Sequence, residues 1–90
     1  MITIQAINST TFKVIVQQKS TTTHTVTVSP SYYEKLTDKR VKPEELVRHS
    51  FEFLLKRESN TSILRSFNLP VISRYFPEYE RTIKGMLESR

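Results

Sequence analysis

The 90-residue chain has no cysteine, no tryptophan and a single glycine. Without cysteine, neither a disulfide framework nor a thiolate zinc site can form. Because the one glycine is Gly85, glycine-rich phosphate-binding loops and the G-x-S-x-G turn of serine hydrolases are also excluded. The sequence therefore lacks the motifs that most often mark a nucleotide-binding, zinc-dependent or serine-dependent enzyme.

Long apolar runs are missing as well. Uninterrupted apolar runs reach three residues at most, far below the roughly 20 that are needed to span a bilayer. The first stretch, MITIQAINSTTFK, contains neither the basic start nor the apolar centre of a signal peptide. We therefore expect a cytoplasmic protein that does not enter the membrane.

Acidic residues are fewer than basic ones, since 14 Lys and Arg against 9 Asp and Glu give a net charge of +5. The excess is spread along the chain, and residues 1–28 contain Lys13 and Lys19 but no acid. A mild, distributed positive charge mainly favours solubility, and it is compatible with nucleic acid as a partner. The length predicts one domain over residues 1–90, and an apolar content of 37% is enough for a core.

The N-terminal third alternates apolar and polar residues, which is the pattern of half-buried β-strands. We predict three strands, over residues 2–7, 12–18 and 22–28. In the third strand Val26 and Val28 share one face. The opposite face of that strand carries Thr23, Thr25 and Thr27. The strands should form an antiparallel meander with an apolar face and a threonine-rich face.

Prolines mark the beginnings of the helices that follow. Ser29 is a favourable N-cap and Pro30 a favourable first residue, which predicts a helix over residues 30–37. Pro43 begins the main helix, over residues 43–57. Further helices are expected near residues 62–67, 70–76 and 78–88. The predicted fold class is α+β, a three-stranded antiparallel N-terminal meander packed against a helical C-terminal two-thirds.

The main helix has an apolar stripe wider than one packing surface needs. At about 100° per residue, its apolar side and Ser50 cover an arc of roughly 200°. The residues of this arc are Leu46, Val47, Ser50, Phe51, Phe53, Leu54 and Leu55. We therefore expect the helix to be buried on two sides, against the sheet and against either the C-terminal segment or a second subunit.

The shared apolar faces of these strands and helices define the expected core. Its predicted members are Ile4, Val14, Val16, Val26, Val28, Leu36, Leu46, Val47, Ser50, Leu54, Ile63, Leu64, Phe67, Ile72, Phe76 and Tyr79.

Titratable residues form no recognisable catalytic or metal-binding set. His24 falls on a predicted strand, where a lone histidine is usually structural, and His49 lies on the main helix. Glu45 and Glu52, at spacings of four and three residues from His49, are ordinary surface partners. General acid–base catalysis needs carboxyl groups that converge on one cleft, and no such pair is indicated. We expect no enzyme activity, no cofactor or metal, and no small-molecule substrate.

The segment SILRSFNLPVISRYFPEYE, residues 62–80, is dense in apolar and aromatic residues with arginines between them. One interpretation is a cover over the second side of the main helix, which the wide apolar stripe favours. The other is a binding groove for a protein partner or a second copy of the chain, anchored by aromatic and arginine side chains. The candidate partner-binding residues are Arg65, Arg74, Tyr75 and Arg81.

The stretch HTVTVSPSYYEKLTDKRVKPEELVRHSFEFLLKR, residues 24–57, resembles the ribbon-helix-helix family of dimeric DNA-binding proteins and antitoxins. The resemblance implies a strand that pairs with its dimer mate and enters the major groove, which requires strand 22–28 to lie at a sheet edge. The side chains then facing base edges would be Thr23, Thr25 and Thr27. The side chains near phosphate would be Lys39, Arg40 and Lys42.

The whole chain, and especially the segment SILRSFNLPVISRYFPEYE, also resembles a group of small bacterial proteins of uncharacterised activity, and this second resemblance implies no function. The sequence predicts a non-enzymatic interaction module that binds a protein partner or itself as a homodimer. The alternative is a DNA-binding regulator or antitoxin-like protein, for which nucleic acid would be the partner.

Overall fold

The computed structural model describes residues 1–88 and has an α+β fold, as predicted. The strands are β1 (Ile2–Ala6), β2 (Thr11–Gln17), β3 (Thr21–Thr27) and β4 (Ser66–Asn68). The helices are α1 (Pro30–Thr37), α2 (Pro43–Leu55), α3 (Ile72–Tyr75) and α4 (Tyr79–Glu88). Two short 3-10 turns, Asn60–Ser62 and Leu69–Val71, lie on either side of β4.

The strands form one sheet in the order β1-β2-β3-β4. The first three pair antiparallel, which confirms the predicted meander, and β4 pairs parallel with β3. The prediction of a helix over residues 62–67 is wrong. The Thr25 N–H donates to the Arg65 carbonyl at 2.7 Å, and β4 continues this pairing along β3. The short apolar pattern of this segment does not distinguish helix from strand. It forms a strand because the unpaired backbone groups of β3 need hydrogen-bond partners.

The two hairpin turns contain no glycine. In the first, the Asn8 side-chain oxygen accepts hydrogen bonds from the Thr10 and Thr11 N–H groups, both at 2.9 Å. Asparagine therefore closes this turn with its side chain in place of a special backbone conformation. The flanking strands β2 and β3 each begin and end one residue before the predicted bounds.

Both proline-marked helices begin where the sequence predicts. The Ser29 hydroxyl accepts a hydrogen bond from the Tyr32 N–H and caps α1, with Pro30 as its first residue. The helix ends at Thr37, and its C-cap Asp38, with a left-handed φ of 54°, turns the chain. Helix α2 begins at Pro43 and ends at Leu55, two residues before the predicted end.

All the helices lie on one face of the sheet, and the core fills the space between the helices and the sheet. The uncovered side, called the open face, carries Thr21, Thr23, Thr25 and Thr27 of β3. Most predicted core residues are buried, but Leu64 is 48% exposed, which is a wrong prediction. Ile4, Phe67 and Phe76 are only partly buried. The core also contains residues that were not predicted there, namely Phe12, His24, Tyr32, Phe51, Phe53, Leu69 and Ile83.

Helix α2 is buried on two sides, as its wide apolar stripe predicts. Towards the sheet, the Phe51 ring packs 5.3 Å from the His24 ring. Towards the C-terminal segment, the Phe53 ring meets the rings of Phe76 and Tyr79 at 5.9 and 5.2 Å. The chain's own C-terminal segment is therefore the second cover of α2, and no second subunit is needed for that role.

Candidate interaction site

The segment after α2 is held to β3 by a series of partly buried hydrogen bonds. The Asn60 side-chain NH₂ donates to the Ser20 carbonyl at 2.9 Å and to the Thr22 hydroxyl at 3.0 Å. The Thr22 hydroxyl lies 2.9 Å from His24 Nε2, and His24 Nδ1 lies 2.7 Å from the Leu64 carbonyl. Because a carbonyl oxygen only accepts, Nδ1 carries the hydrogen. His24 is therefore structural, and it sets the position of the Leu64 backbone.

The C-terminal helix α4 is joined to α1 by side-chain contacts. The Glu80 carboxylate accepts a hydrogen bond from the Tyr32 hydroxyl at 2.9 Å and pairs with the Lys35 ammonium at 3.3 Å. Burial by itself raises the pKa of the Glu80 carboxyl, but the Tyr32 hydroxyl and Lys35 outweigh it and hold that pKa below its usual value. Glu80 thus stabilises the docking of α4 in its ionised form.

A second set of side-chain contacts joins the end of α2 to the start of α4. The Arg57 guanidinium stacks 3.6 Å from the Phe53 ring centre and donates to the Phe53 carbonyl at 3.0 Å. It also reaches the Glu78 carboxylate at 3.3 Å. These contacts join the end of α2 to Glu78, and the segment between them, residues 57–78, forms a wall beside α2.

Between α2 and this wall lies a concave surface, here called the apolar groove. It is lined by Leu54, Glu58, Ser62, Ile63, Leu64, Phe67, Val71, Ile72, Tyr75 and Phe76. Its volume is about 190 Å³, less than the roughly 300–1,000 Å³ of small-molecule pockets. The groove is therefore of a size for single apolar side chains.

Two large apolar side chains of the groove face solvent. Leu64 is 48% exposed and Tyr75 is 66% exposed, although both line the same concavity. Glu58 is the single charged residue among the lining residues. The predicted partner-binding residue Tyr75 is thus part of the groove, whereas Leu64 was predicted to lie in the core.

The three arginines predicted to accompany Tyr75 are exposed, but none of them lines the groove. Arg65 uses its backbone carbonyl to pair with β3, and Arg74 neighbours Tyr75 on α3. Arg81 lies on α4 beside Lys84, on a different surface. The structure therefore does not gather the arginines and Tyr75 into one cluster.

The residues predicted to contact nucleic acid lie on two sides of the sheet. The threonine side chains are on the open face and are exposed or half-exposed: Thr23, Thr25 and Thr27. The basic residues belong to the loop that joins α1 and α2 on the covered side: Lys39, Arg40 and Lys42. Of these, Lys39 pairs with Glu34 at 3.7 Å. The two sets do not form one continuous surface.

The position of β3 decides whether it can form a dimer ribbon. It lies between β2 and β4, and Thr25, Val26 and Thr27 are paired with β4. The Asn60 and Leu64 contacts reach the side chains of Thr22 and His24 on the covered face. Over Thr25–Thr27, β3 is therefore paired on both sides and offers no free edge for a dimer ribbon.

The described part of the chain shows neither a metal-binding cluster nor a membrane-spanning helix. Residues 1–88 contain no group of three or more His, Asp or Glu side chains placed to hold a metal ion. His49 Nδ1 lies 3.0 Å from the Glu52 carboxylate, the surface pair that its spacing predicts. None of the described helices is long and apolar enough to cross a membrane.

Comparison with protein-family models, with curated proteins and with solved structures finds no match for this chain. Function is therefore inferred from the geometry of the described residues. Glu58 and Val71 of the groove were not singled out by the sequence, and no local pattern marks them. Their wall exists only because β4 and α3 pack beside the end of α2.

Proposed function

We propose that the protein is a non-enzymatic interaction module that holds an apolar side chain of a protein partner in the apolar groove. The observation that carries the proposal is the exposure of Leu64 and Tyr75 at the rim of a concave apolar wall. Large apolar side chains that stay in contact with water around a concavity are typical of protein-binding surfaces.

The size and chemistry of the groove favour a protein segment as its occupant. A volume of about 190 Å³ suits one anchoring side chain, and tyrosine is enriched among the residues that dominate binding energy. Glu58 is the single charge in the lining, so a basic residue beside the apolar anchor would find a carboxylate within the groove. The expected partner segment therefore combines an apolar anchor with a neighbouring Lys or Arg.

The proposal is tested by selecting binders from a random peptide library on the wild-type protein. The same peptides are then measured against the double variant Leu64→Ser/Tyr75→Ala. Loss of two rim residues should weaken binding by roughly 30-fold, the range of a central anchor. The matched control is Ile7→Ser, which removes an exposed apolar side chain (57% exposed) from the β1–β2 turn.

Thermal unfolding of each variant checks that it remains folded. Selected peptides should share an apolar residue beside Lys or Arg and should bind the Ile7→Ser control as they bind wild type. Peptides that bind the double variant and wild type equally would show that the groove is not the binding site.

A further inference from the structure

The first strand of the sheet has an unprotected outer edge. The Met1 and Gln17 backbone groups exchange hydrogen bonds, at 2.8 and 2.9 Å, and the Ile7 N–H donates to the Thr11 carbonyl at 2.8 Å. Because antiparallel pairing alternates, the odd-numbered residues of β1 bond to β2 and the even-numbered residues point their backbone groups outward. Those outward residues are Ile2, Ile4 and Ala6.

Within the described residues, only one of these outward backbone groups forms a hydrogen bond. The Arg48 guanidinium donates to the Ile2 carbonyl at 2.8 Å. Within residues 1–88 no hydrogen bond reaches the outward N–H groups of Ile2, Ile4 and Ala6 or the carbonyls of Ile4 and Ala6. A carbonyl oxygen accepts two hydrogen bonds, so the Ile2 carbonyl also retains a free position.

The features that normally prevent strand pairing at an edge are absent from β1. Its sequence, ITIQA, contains no charged residue and no proline. Its register with β2 runs without a bulge from Ile2 to Ala6. Natural proteins usually place lysine, proline or a bulge at such an edge to prevent association.

We infer that β1 pairs antiparallel with β1 of a second copy of this chain, about a two-fold axis at Ile4. The axis places Ile4 opposite its counterpart and Ile2 opposite Ala6 of the other copy. Each pair joins outward N–H groups to outward carbonyls, because donors and acceptors alternate identically along both edges. The two four-stranded sheets then become one continuous sheet.

The side chains match under the same axis, which favours a second copy over a foreign strand. On the covered side, Ile4 meets Ile4 of the other copy, and Ile2 meets Ala6, so the partly buried isoleucines gain apolar neighbours. On the open face, Thr3 meets Gln5 of the other copy, and both are exposed and uncharged. No like charges on the strands oppose the pairing. This dimer edge is separate from the apolar groove and does not depend on it.

The experiment measures self-association by sedimentation equilibrium from micromolar to near-millimolar protein. Wild type should form a dimer. The variant Thr3→Glu/Gln5→Glu places two carboxylates against two others across the axis, and should weaken self-association by at least about tenfold. The matched variant Thr3→Lys/Gln5→Glu places opposite charges across the same axis and should retain the dimer. Both variants introduce the same carboxylate at position 5, beside Lys13 of β2.

Amide hydrogen exchange locates the contact. The N–H groups of Ile4 and Ala6 should become more protected as the wild-type concentration rises, while both stay unprotected in Thr3→Glu/Gln5→Glu. A wild type that stays monomeric overturns the inference, as does a dimer that the carboxylate pair leaves intact. A dimer abolished by Leu64→Ser/Tyr75→Ala would place self-association in the apolar groove and would also overturn it. Peptide binding by the groove is measured separately, so the two proposals can fail independently.

Discussion

The hydroxyl groups of Ser50 and Tyr79 lie 2.6 Å apart in the core and join α2 to α4. The Ser50 hydroxyl also lies 2.7 Å from the Leu46 carbonyl, which only accepts. Ser50 therefore donates its single hydrogen to Leu46, and the Tyr79 hydroxyl must donate to Ser50. Both side chains are fully buried, so the direction of this bond decides what each substitution costs.

Ser50→Ala should be the more damaging change at this contact. It leaves the Tyr79 hydroxyl buried without an acceptor and should lower the free energy of unfolding by about 1–3 kcal/mol. Tyr79→Phe leaves Ser50 bonded to Leu46 and should cost about 0.5–1.5 kcal/mol. Urea denaturation of both single variants and the double variant measures the coupling. Tyr75→Phe, at an exposed position, is the control; a larger cost for Tyr79→Phe than for Ser50→Ala would contradict the bond direction.

Asn60→Ala should loosen the segment that carries the groove wall. The change removes the donor to Ser20 and Thr22 from a buried position, and should cost about 1–3 kcal/mol of unfolding free energy. The Thr25 N–H, which donates to the Arg65 carbonyl, should also exchange faster in native-state hydrogen exchange.

The matched control for this change is Asn68→Ala, the same substitution at an exposed side chain of β4. It should alter the free energy of unfolding by no more than about 0.5 kcal/mol. Equal changes in the free energy of unfolding at the two positions would mean that the hydrogen bonds of the Asn60 side chain do not stabilise the fold.

Acid should weaken the protein through Glu80. In the fold the Glu80 carboxyl has a pKa below its usual value of 4.5. Between that lowered pKa and 4.5, Glu80 is therefore protonated less in the folded state than in the unfolded state. The stabilisation is complete above the ordinary carboxyl pKa and is lost as the pH falls through the lowered folded value. Glu80→Gln should therefore destabilise at neutral pH, and its difference from wild type should shrink towards about pH 3.

Denaturant midpoints measured across this pH range test the assignment. Glu88→Gln makes the same change at an exposed position in the same helix and should leave the pH dependence as in wild type. A Glu80→Gln difference that stays constant from neutral pH to acid would show that ionisation of Glu80 is not the cause.

Alkali should weaken the protein through its buried tyrosines. Burial raises the pKa of the Tyr32 and Tyr79 hydroxyls above the ordinary value of 10.0. As the pH rises, the unfolded chain loses these protons before the folded chain does. The two hydroxyls therefore contribute fully to stability below about pH 10, and that contribution falls as the pH rises further. Unfolding followed between about pH 8 and pH 11 should show a smaller alkaline loss in Tyr79→Phe than in wild type, with Tyr75→Phe unchanged.

The parts of the fold that the sequence determined are those governed by local chemistry. Alternation of apolar and polar residues identified β1, β2 and β3, because successive side chains of a strand point to opposite faces. Ser29 with Pro30, and Pro43, located the starts of α1 and α2, since capping and a fixed φ act within one turn. The width of the apolar stripe on α2 likewise predicted its burial on two sides.

Tertiary structure alone decided the identity of β4, the exposure of Leu64 and the central place of β3. Residues 66–68 are a strand because β3 offers unpaired backbone groups, and the β3 residues that they pair with lie 41 positions earlier in the chain. The His24 side chain holds the Leu64 carbonyl nearby, and β4 occupies the outer edge of β3 over Thr25–Thr27. Neither the apolar groove nor the outward edge of β1 has a local signature, because each arises from the packing and pairing of whole elements.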